Sequence, residues 1–192
     1  MATVAERGHR GTIFLEDAEV LAHEAFAGDQ YVLRLRSPQC ALHAQPGQFA
    51  HLACDPALPM RRPISILRAD PREGWVELLY KAVGQGTRLL AQRRAGERLS
   101  LLGPIGVRFE VREPRPLLIG GGVGMPPMLF LADRLRGSPD KRPFVILGSE
   151  VPFPFTARPS QILTPGLPDG VIGCMPLLDD WGIPSRLASR QG

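Results

Sequence analysis

The stretch "REPRPLLIGGGVGMPPMLFLADRLRG", Arg112 to Gly137, is where the grammar of the chain changes. "REPRP" is charged and proline-containing, which suits a linker. "PLLIGGG" reads as a short buried strand running into glycines, and "PPMLFLADRLRG" as an amphipathic helix. Pro126 and Pro127 fit the first helical turn, where a missing N–H costs nothing. "RPFVILGSE", ending at Glu150, follows as a second buried strand. Strand, helix and strand in this order begin a parallel sheet. Past Glu150 the prolines of "VPFPFTARPSQILTPGLPDG" break any pattern, and "GVIGCMPLLDDWG" reads as one more strand with its following loop. The chain stops at "SRLASRQG", before such a sheet would be complete, so it is expected to be a piece whose end is missing.

Working back toward the N-terminus, Glu19 to Val111 read as short strands between turns. In "YVLRLRSP" the apolar positions Tyr31, Leu33 and Leu35 alternate as in a half-buried strand, and the turn at Ala27 to Asp29 separates it from "EVLAHEAFA". "PGQFAHLAC", "RPISIL", "WVELLYKAV" and "GERLSLLGPIG" repeat that grammar, and the one helical signal lies near Gly86 to Arg94. Around six strands of this kind predict a small antiparallel β-barrel. The expected organisation is therefore β-barrel plus α/β: a six-stranded barrel over residues 1–112 and an incomplete parallel-sheet nucleotide-binding domain over 113–192.

Composition narrows the function classes. A chain of 192 residues can bury a sizeable core. The net charge of +4 comes from scattered arginines interleaved with acids, which suits a bound anion better than a nucleic-acid footprint. Cys40, Cys54 and Cys174 are odd in number and lack a C-x-x-C pair, which points away from disulfides or zinc and toward a reducing cytoplasm. "MATVAERGHR" lacks the apolar core of a secretory signal, and the longest uncharged run is too short and too broken by glycine and proline to span a bilayer. His9, His23, His43 and His51 are dispersed without ligand spacing and receive no role.

Three stretches carry chemistry. In "GGGVGMPP" the glycines let a backbone approach a phosphate before a helix, although Met125 stands where the dinucleotide fingerprint has its third glycine. Glu150, at the end of the next strand, is placed to accept hydrogen bonds from a ribose. In "RRPISIL", Arg62 is a permanently charged donor suited to pyrophosphate, Pro63 fixes the local φ, and Ser65 offers a hydroxyl that would share one strand face with the arginine. "LLYKAVGQGT" supplies Gly84, Gly86 and Thr87, a glycine turn able to cradle the same phosphates.

The ordered set R-P-I-S, L-Y-K-x-V-G-x-G-T, L-G-P-I-G and G-G-G-V-G-x-P-P resembles the ferredoxin-reductase-like flavoproteins, over roughly residues 18 to 150. The doubled arginine, the preceding "PGQFAHLA" and the proline pair look most like one branch, the electron transfer subunits of class 1B dihydroorotate dehydrogenases. The resemblance implies that Arg62, Pro63, Ile64 and Ser65 line an FAD, with Arg62 on its phosphates and Ser65 near the isoalloxazine. Leu79, Tyr80 and Lys81 would flank the cofactor, Gly86 and Thr87 would bind its pyrophosphate, and Gly121, Gly122 and Gly124 would lie where NAD approaches the flavin. It further implies electron transfer between NAD and FAD, then through a 2Fe-2S cluster to an FMN-containing dihydroorotate dehydrogenase catalytic subunit. No cysteine cluster in this chain corresponds to that centre. Two other readings share the motifs: a free NAD(P)H-dependent flavin or ferredoxin reductase, and a docking module that has lost its cofactor.

Overall fold

The computed structural model describes residues 11–189. His9, the N-terminal stretch read above as no secretory signal, and the last three residues lie outside them. Six strands, β1 (Phe14–Phe26), β2 (Gln30–Arg36), β3 (Phe49–Leu52), β4 (Arg62–Asp70), β5 (Trp75–Lys81) and β6 (Arg98–Ile105), close into a barrel in the order β1-β2-β5-β4-β3-β6. Every neighbouring pair is antiparallel. Closure leaves no sheet edge unpaired. Period-two alternation fills the barrel: Val20, Leu33, Leu35, Leu52, Ile66, Leu78 and Leu101 are almost wholly buried in one cluster. The expected turn joins β1 to β2, with Gly28 and Asp29 both at positive φ.

A helix that the strand grammar did not show, α1 (Pro38–His43), sits between β2 and β3. Pro38 stands in its first turn, and the Glu16 carboxylate of β1 accepts from the backbone N–H groups of Gln39 (3.1 Å) and Cys40 (2.9 Å). Cys40 and Ala41 are buried against the barrel core. The second expected helix is present as α2 (Gln85–Leu90).

No strand or helix occupies residues 107–116. Beyond them come β7 (Leu117–Gly121), a 3-10 turn (Gly122–Gly124), α3 (Met125–Leu135) and β8 (Phe144–Ser149). A two-residue pair, β9 (Arg158–Pro159) and β10 (Gly173–Cys174), leads to α4 (Pro176–Asp180) and β11 (Ser185–Ser189). β7, β8 and β11 form a parallel sheet in the order β11-β8-β7. The third strand is thus "SRLAS", whereas "GVIGCMPLLDDWG", expected to supply it, divides between β10 and α4, with Pro176 in the first helical turn. β7 also differs from a strand buried on both faces: Leu118 is buried while Leu117 and Ile119 are 55% and 64% exposed. The reason is that α3 packs on one face of the sheet, where Leu118, Val145 and Leu147 meet Met125, Leu129 and Leu135.

The two halves share apolar packing. Leu67 and Leu79, on the outside of the barrel, join the α3 cluster, and Phe130 of α3 joins the barrel cluster. Arg134 donates from Nη2 to the Ala44 carbonyl at 3.1 Å. At the barrel's β1–β2 turn, the Gln30 amide donates to the carbonyls of Ala27 (2.9 Å) and Pro152 (2.8 Å). Gly28 lies so close to the segment after β8 that a Cβ there would be 2.8 Å from Val151 Cβ. Its φ of +73° adds strain for any L side chain, so Gly28→Ala is expected to cost about 2–3 kcal/mol in a denaturant titration. An unchanged midpoint would show that this contact yields freely.

Candidate functional site

Arg61 and Arg62 are adjacent but have different work. Arg61 donates from Nη1 to the Ser100 carbonyl and from Nη2 to the Ser100 hydroxyl, both at 2.8 Å, tying the start of β4 to β6. Arg62 bonds within its own turn through Nη1, to the carbonyls of Met60 (2.9 Å) and Arg61 (3.3 Å). Its guanidinium lies over the first turn of α2: a Cβ at Gly86 would be 2.7 Å from Arg62 Nε and 3.1 Å from Cζ. Gly84 N–H donates to Thr87 Oγ1 at 3.1 Å, which fixes the turn. The R-P-I-S and G-x-G-T stretches therefore meet, and the space a side chain would fill at Gly86 is held by a guanidinium. A planar, permanently charged fork beside a glycine turn suits a phosphate or pyrophosphate. The donor set fits the phosphates of a flavin dinucleotide.

Arg62 and Ser65 do not share a strand face. Arg62 pairs with Leu52 and Ile64 with Ala50, whose side chains fill the barrel, whereas Pro63 pairs with His51 and Ser65 with Phe49. Three residues is an odd step in a period-two element, so the two side chains diverge. Only the arginine is at the α2 turn, and Ser65 lies on the face of Phe49 and His51, whose rings are 5.4 Å apart. Ile64 is buried in the barrel core.

On β5 the same alternation separates the next three candidates. Leu79 faces outward into the α3 cluster, Tyr80 faces into the barrel, and Lys81 reaches the cleft between the halves. The Tyr80 ring stacks on Tyr31 at 5.3 Å, and burial, with the neighbouring Tyr31 phenol, pushes its phenol pKa up. His23, to which no role was given, is the partner that closes this group: Nε2 is 3.0 Å from the Tyr80 hydroxyl and Nδ1 is 2.8 Å from the Arg93 carbonyl. A carbonyl only accepts, so Nδ1 carries a proton, and in the neutral imidazole Nε2 accepts from Tyr80. Nothing in the spacing of these residues signals the pairing, because β1 and β5 are joined only through β2.

A large opening, about 680 Å³, lies at the carboxyl ends of β7, β8 and β11 and is walled on the other side by the barrel. Its lining includes Gly121, Gly122, Glu150, Ser189, Gln30 and Lys81. In open parallel sheets ligands bind at this end of the strands. Gly122 has φ +51°, and a Cβ there, or at Gly124, would meet nothing within 4 Å, so this edge is open to a ligand. Gly120 has the opposite reason to be glycine: a Cβ would be 3.0 Å from both the Gly124 carbonyl and Met125 Cα. Met125, standing where the fingerprint has its third glycine, is fully buried in the α3 cluster.

All three cysteines are buried and unpaired by disulfides, and among the described residues no group of His, Cys, Asp and Glu is arranged to hold a metal ion. These residues do not fit an iron–sulfur cluster. Burial, reinforced by the Glu16 carboxylate, pushes the Cys40 thiol from 9.0 up to about 12, and burial raises Cys54 and Cys174 as well. The native protein at pH 8 is accordingly expected to resist thiol-directed alkylation and to take up reagent at all three positions only when unfolded. Because the unfolded Cys40 loses its proton near 9 and the folded one near 12, its contribution makes native stability fall as pH rises through that interval.

No protein-family model matches the chain. Among solved structures, the ferredoxin reductase of carbazole 1,9a-dioxygenase superposes with a TM-score of 0.63 at 29% identity, over 72% of this chain and 43% of the other. The chain has the ferredoxin-reductase fold. The NADH-dependent reduced ferredoxin-NADP oxidoreductase shares it over 92% of this chain and 58% of the other, with a TM-score of 0.72 at 21% identity. By sequence, the chain is similar to the electron transfer subunit of dihydroorotate dehydrogenase B (NAD(+)) of Shouchella clausii, at 42% identity over 115 residues, and of Desulforamulus reducens, at 38% over 125. Those matches cover 57% and 62% of this chain but 44% and 47% of the relatives, so the chain spans about half their length.

Proposed function

We propose that this chain is the flavin-binding part of a dihydroorotate dehydrogenase electron transfer subunit, holding FAD on the barrel and receiving NAD in the cleft at the strand ends. The observation that carries the reading is the meeting of Arg62 with the Gly86 turn, two motifs apart in sequence that converge on one anion cradle. The relatives at 38–42% identity favour this subunit over a free flavin reductase.

Bound FAD would supply the redox chemistry, accepting an electron pair from the nicotinamide and releasing it to the next carrier. The chain's part is binding and orientation. Arg62, with the backbone of Gly86 and the hydroxyl of Thr87, would hold the pyrophosphate, while Lys81 adds a cation on the cleft wall. Gly121, Gly122 and Gly124 keep the sheet edge low enough for a nucleotide to approach. Pro63, Ile64, Ser65, Leu79 and Tyr80 would form the flavin's surroundings, with Ile64 and Tyr80 acting from inside the barrel wall. The proposed electron partner is an FMN-containing dihydroorotate dehydrogenase catalytic subunit, and the proposed compartment is the cytoplasm, where buried free thiols persist. Among the described residues no helix is long and apolar enough to cross a membrane.

The test is anaerobic mixing of the FAD-loaded chain with NADH, followed at the flavin band, with and without the catalytic subunit. Bleaching by NADH, and its reversal when dihydroorotate dehydrogenase holding orotate is added, is the expected result. Reversal by any soluble acceptor but not by that subunit would favour a free reductase. A folded chain that takes up no FAD would favour the docking module.

A further inference from the structure

We infer that His23 is a positioning residue for the phosphate cradle: its imidazole clasps both ends of the segment that carries the Gly86 turn. This rests on the reading of that turn as the seat of the FAD pyrophosphate. The segment leaves β5 at Tyr80, forms the turn and α2, and runs on to Arg93. Its two ends meet on one ring carried by β1, the Tyr80 hydroxyl at Nε2 (3.0 Å) and the Arg93 carbonyl at Nδ1 (2.8 Å).

A helix as short as the six residues of α2 has little stability of its own, so it stands where tertiary contacts put it. Leu90, fully buried in the barrel core, anchors its apolar side. Backbone bonds then run in succession from the turn to the clasp. Arg88 N–H donates to the Gly84 carbonyl, Ala91 to Thr87, Gln92 to Leu89 and Arg93 to Leu90, at 2.9–3.2 Å. A shift of the main chain at Arg93 is thus carried to the turn under the Arg62 guanidinium. The Arg93 side chain is tied separately, to the Cys54 carbonyl at 3.2 Å and to the Asp55 carboxylate, but through a long stem; the imidazole fixes the main chain directly. At the other end Tyr80 is buried and stacked on Tyr31, so its hydroxyl has a set place and needs an acceptor. A neutral imidazole supplies both partners in one rigid plane, a donor at Nδ1 and an acceptor at Nε2. Leucine there would leave a phenol and a carbonyl unpaired. Glutamine also presents one donor and one acceptor side by side and can take over both bonds.

The experiment compares His23→Leu, His23→Gln and Tyr80→Phe with Leu99→Ala, which trims the barrel core on β6 and leaves the clasp's hydrogen bonds in place. Two readouts are taken: amide hydrogen exchange from Gly84 to Arg93 without FAD, and FAD affinity by fluorescence titration. His23→Leu is expected to speed exchange at Arg88, Ala91 and Arg93 by roughly tenfold or more beyond any change in the amides of β2, and to lower FAD affinity by roughly 5- to 50-fold. Tyr80→Phe keeps the ring, loses one bond and should shift both readouts the same way by less, and it carries the test if His23→Leu does not fold. His23→Gln should stay within a few-fold of the unaltered chain. Leu99→Ala should speed exchange through the barrel without singling out this segment. Exchange in His23→Leu that follows the Leu99→Ala pattern, or a glutamine variant no better than leucine, would overturn the clasp. FAD affinity lowered by Arg62→Ala but unmoved by His23→Leu and Tyr80→Phe would overturn the inference and leave the cradle reading standing. An unaltered chain that binds no FAD would overturn that reading and the inference with it.

Discussion

Arg62→Ala is expected to lower FAD affinity by about 10- to 200-fold while leaving the melting temperature nearly unchanged. The size follows from removing a charged fork that would face two phosphates, where each charge-assisted hydrogen bond contributes about 1.5–3 kcal/mol. The stability side follows from the bonds Arg62 makes, which go to carbonyls of its own turn, and no carboxylate pairs with it among the described residues. Arg61→Ala is the contrasting control. It removes two 2.8 Å bonds to Ser100 and should lower stability with little effect on FAD. Gly86→Ala separates charge from position, because its methyl group would sit 2.7 Å from Arg62 Nε and displace the guanidinium without deleting it. It should weaken FAD in the same direction. Fluorescence titration of the three variants checks the set, and equal affinity in Arg62→Ala and the unaltered chain would contradict the phosphate assignment.

Phe130→Ala is expected to be the most destabilising single change. Phe130 is fully buried, lies on α3 and packs with the barrel's core cluster. Truncating a buried phenylalanine leaves a cavity and costs about 3–5 kcal/mol. In a chain of this size each kcal/mol shifts the midpoint by roughly 2–4 °C, so the melting temperature should fall by roughly 6–20 °C. The loss should reach function as well, since α3 and the outer barrel residues Leu67 and Leu79 share one cluster and set the spacing of the two cleft walls. Leu117→Ala, on the exposed face of β7, is the matched control and should move the midpoint by less than about 0.5 kcal/mol equivalent. Similar melting temperatures for the two variants would contradict the packing account.

The barrel was legible in sequence because its strands alternate: Leu33 and Leu35, or Ile64 and Ile66, fall two residues apart and point into one core. What could not be read depends on contacts distant in sequence. α1 is capped by Glu16 from another strand and not by the Ser37 side chain, so Ser37-Pro38, a pair as common in turns, was the one local mark of its start. β11 reads as polar because Ser185 and Arg186 are buried beside tertiary partners: Ser185 Oγ accepts from Met175 N–H, and Arg186 donates from Nη2 to Ile162 and Thr164. The cradle shows both sides of the matter. The residue types in R-P-I-S and G-x-G-T named the ligand chemistry, but the face each side chain takes followed from the pairing of β4 with β3, which puts Arg62 and Ser65 apart. His23 is a lone histidine in the sequence and carries no pattern until the fold brings Tyr80 and Arg93 to it.

The central claim is that the barrel holds FAD through Arg62 and the Gly86 turn. The most direct measurement is the visible absorption spectrum of the purified chain, before and after incubation with FAD and removal of the excess, with the released chromophore identified. The account predicts an oxidised-flavin spectrum and FAD on release, both lost in Arg62→Ala. A folded, colourless chain that retains no FAD would contradict it.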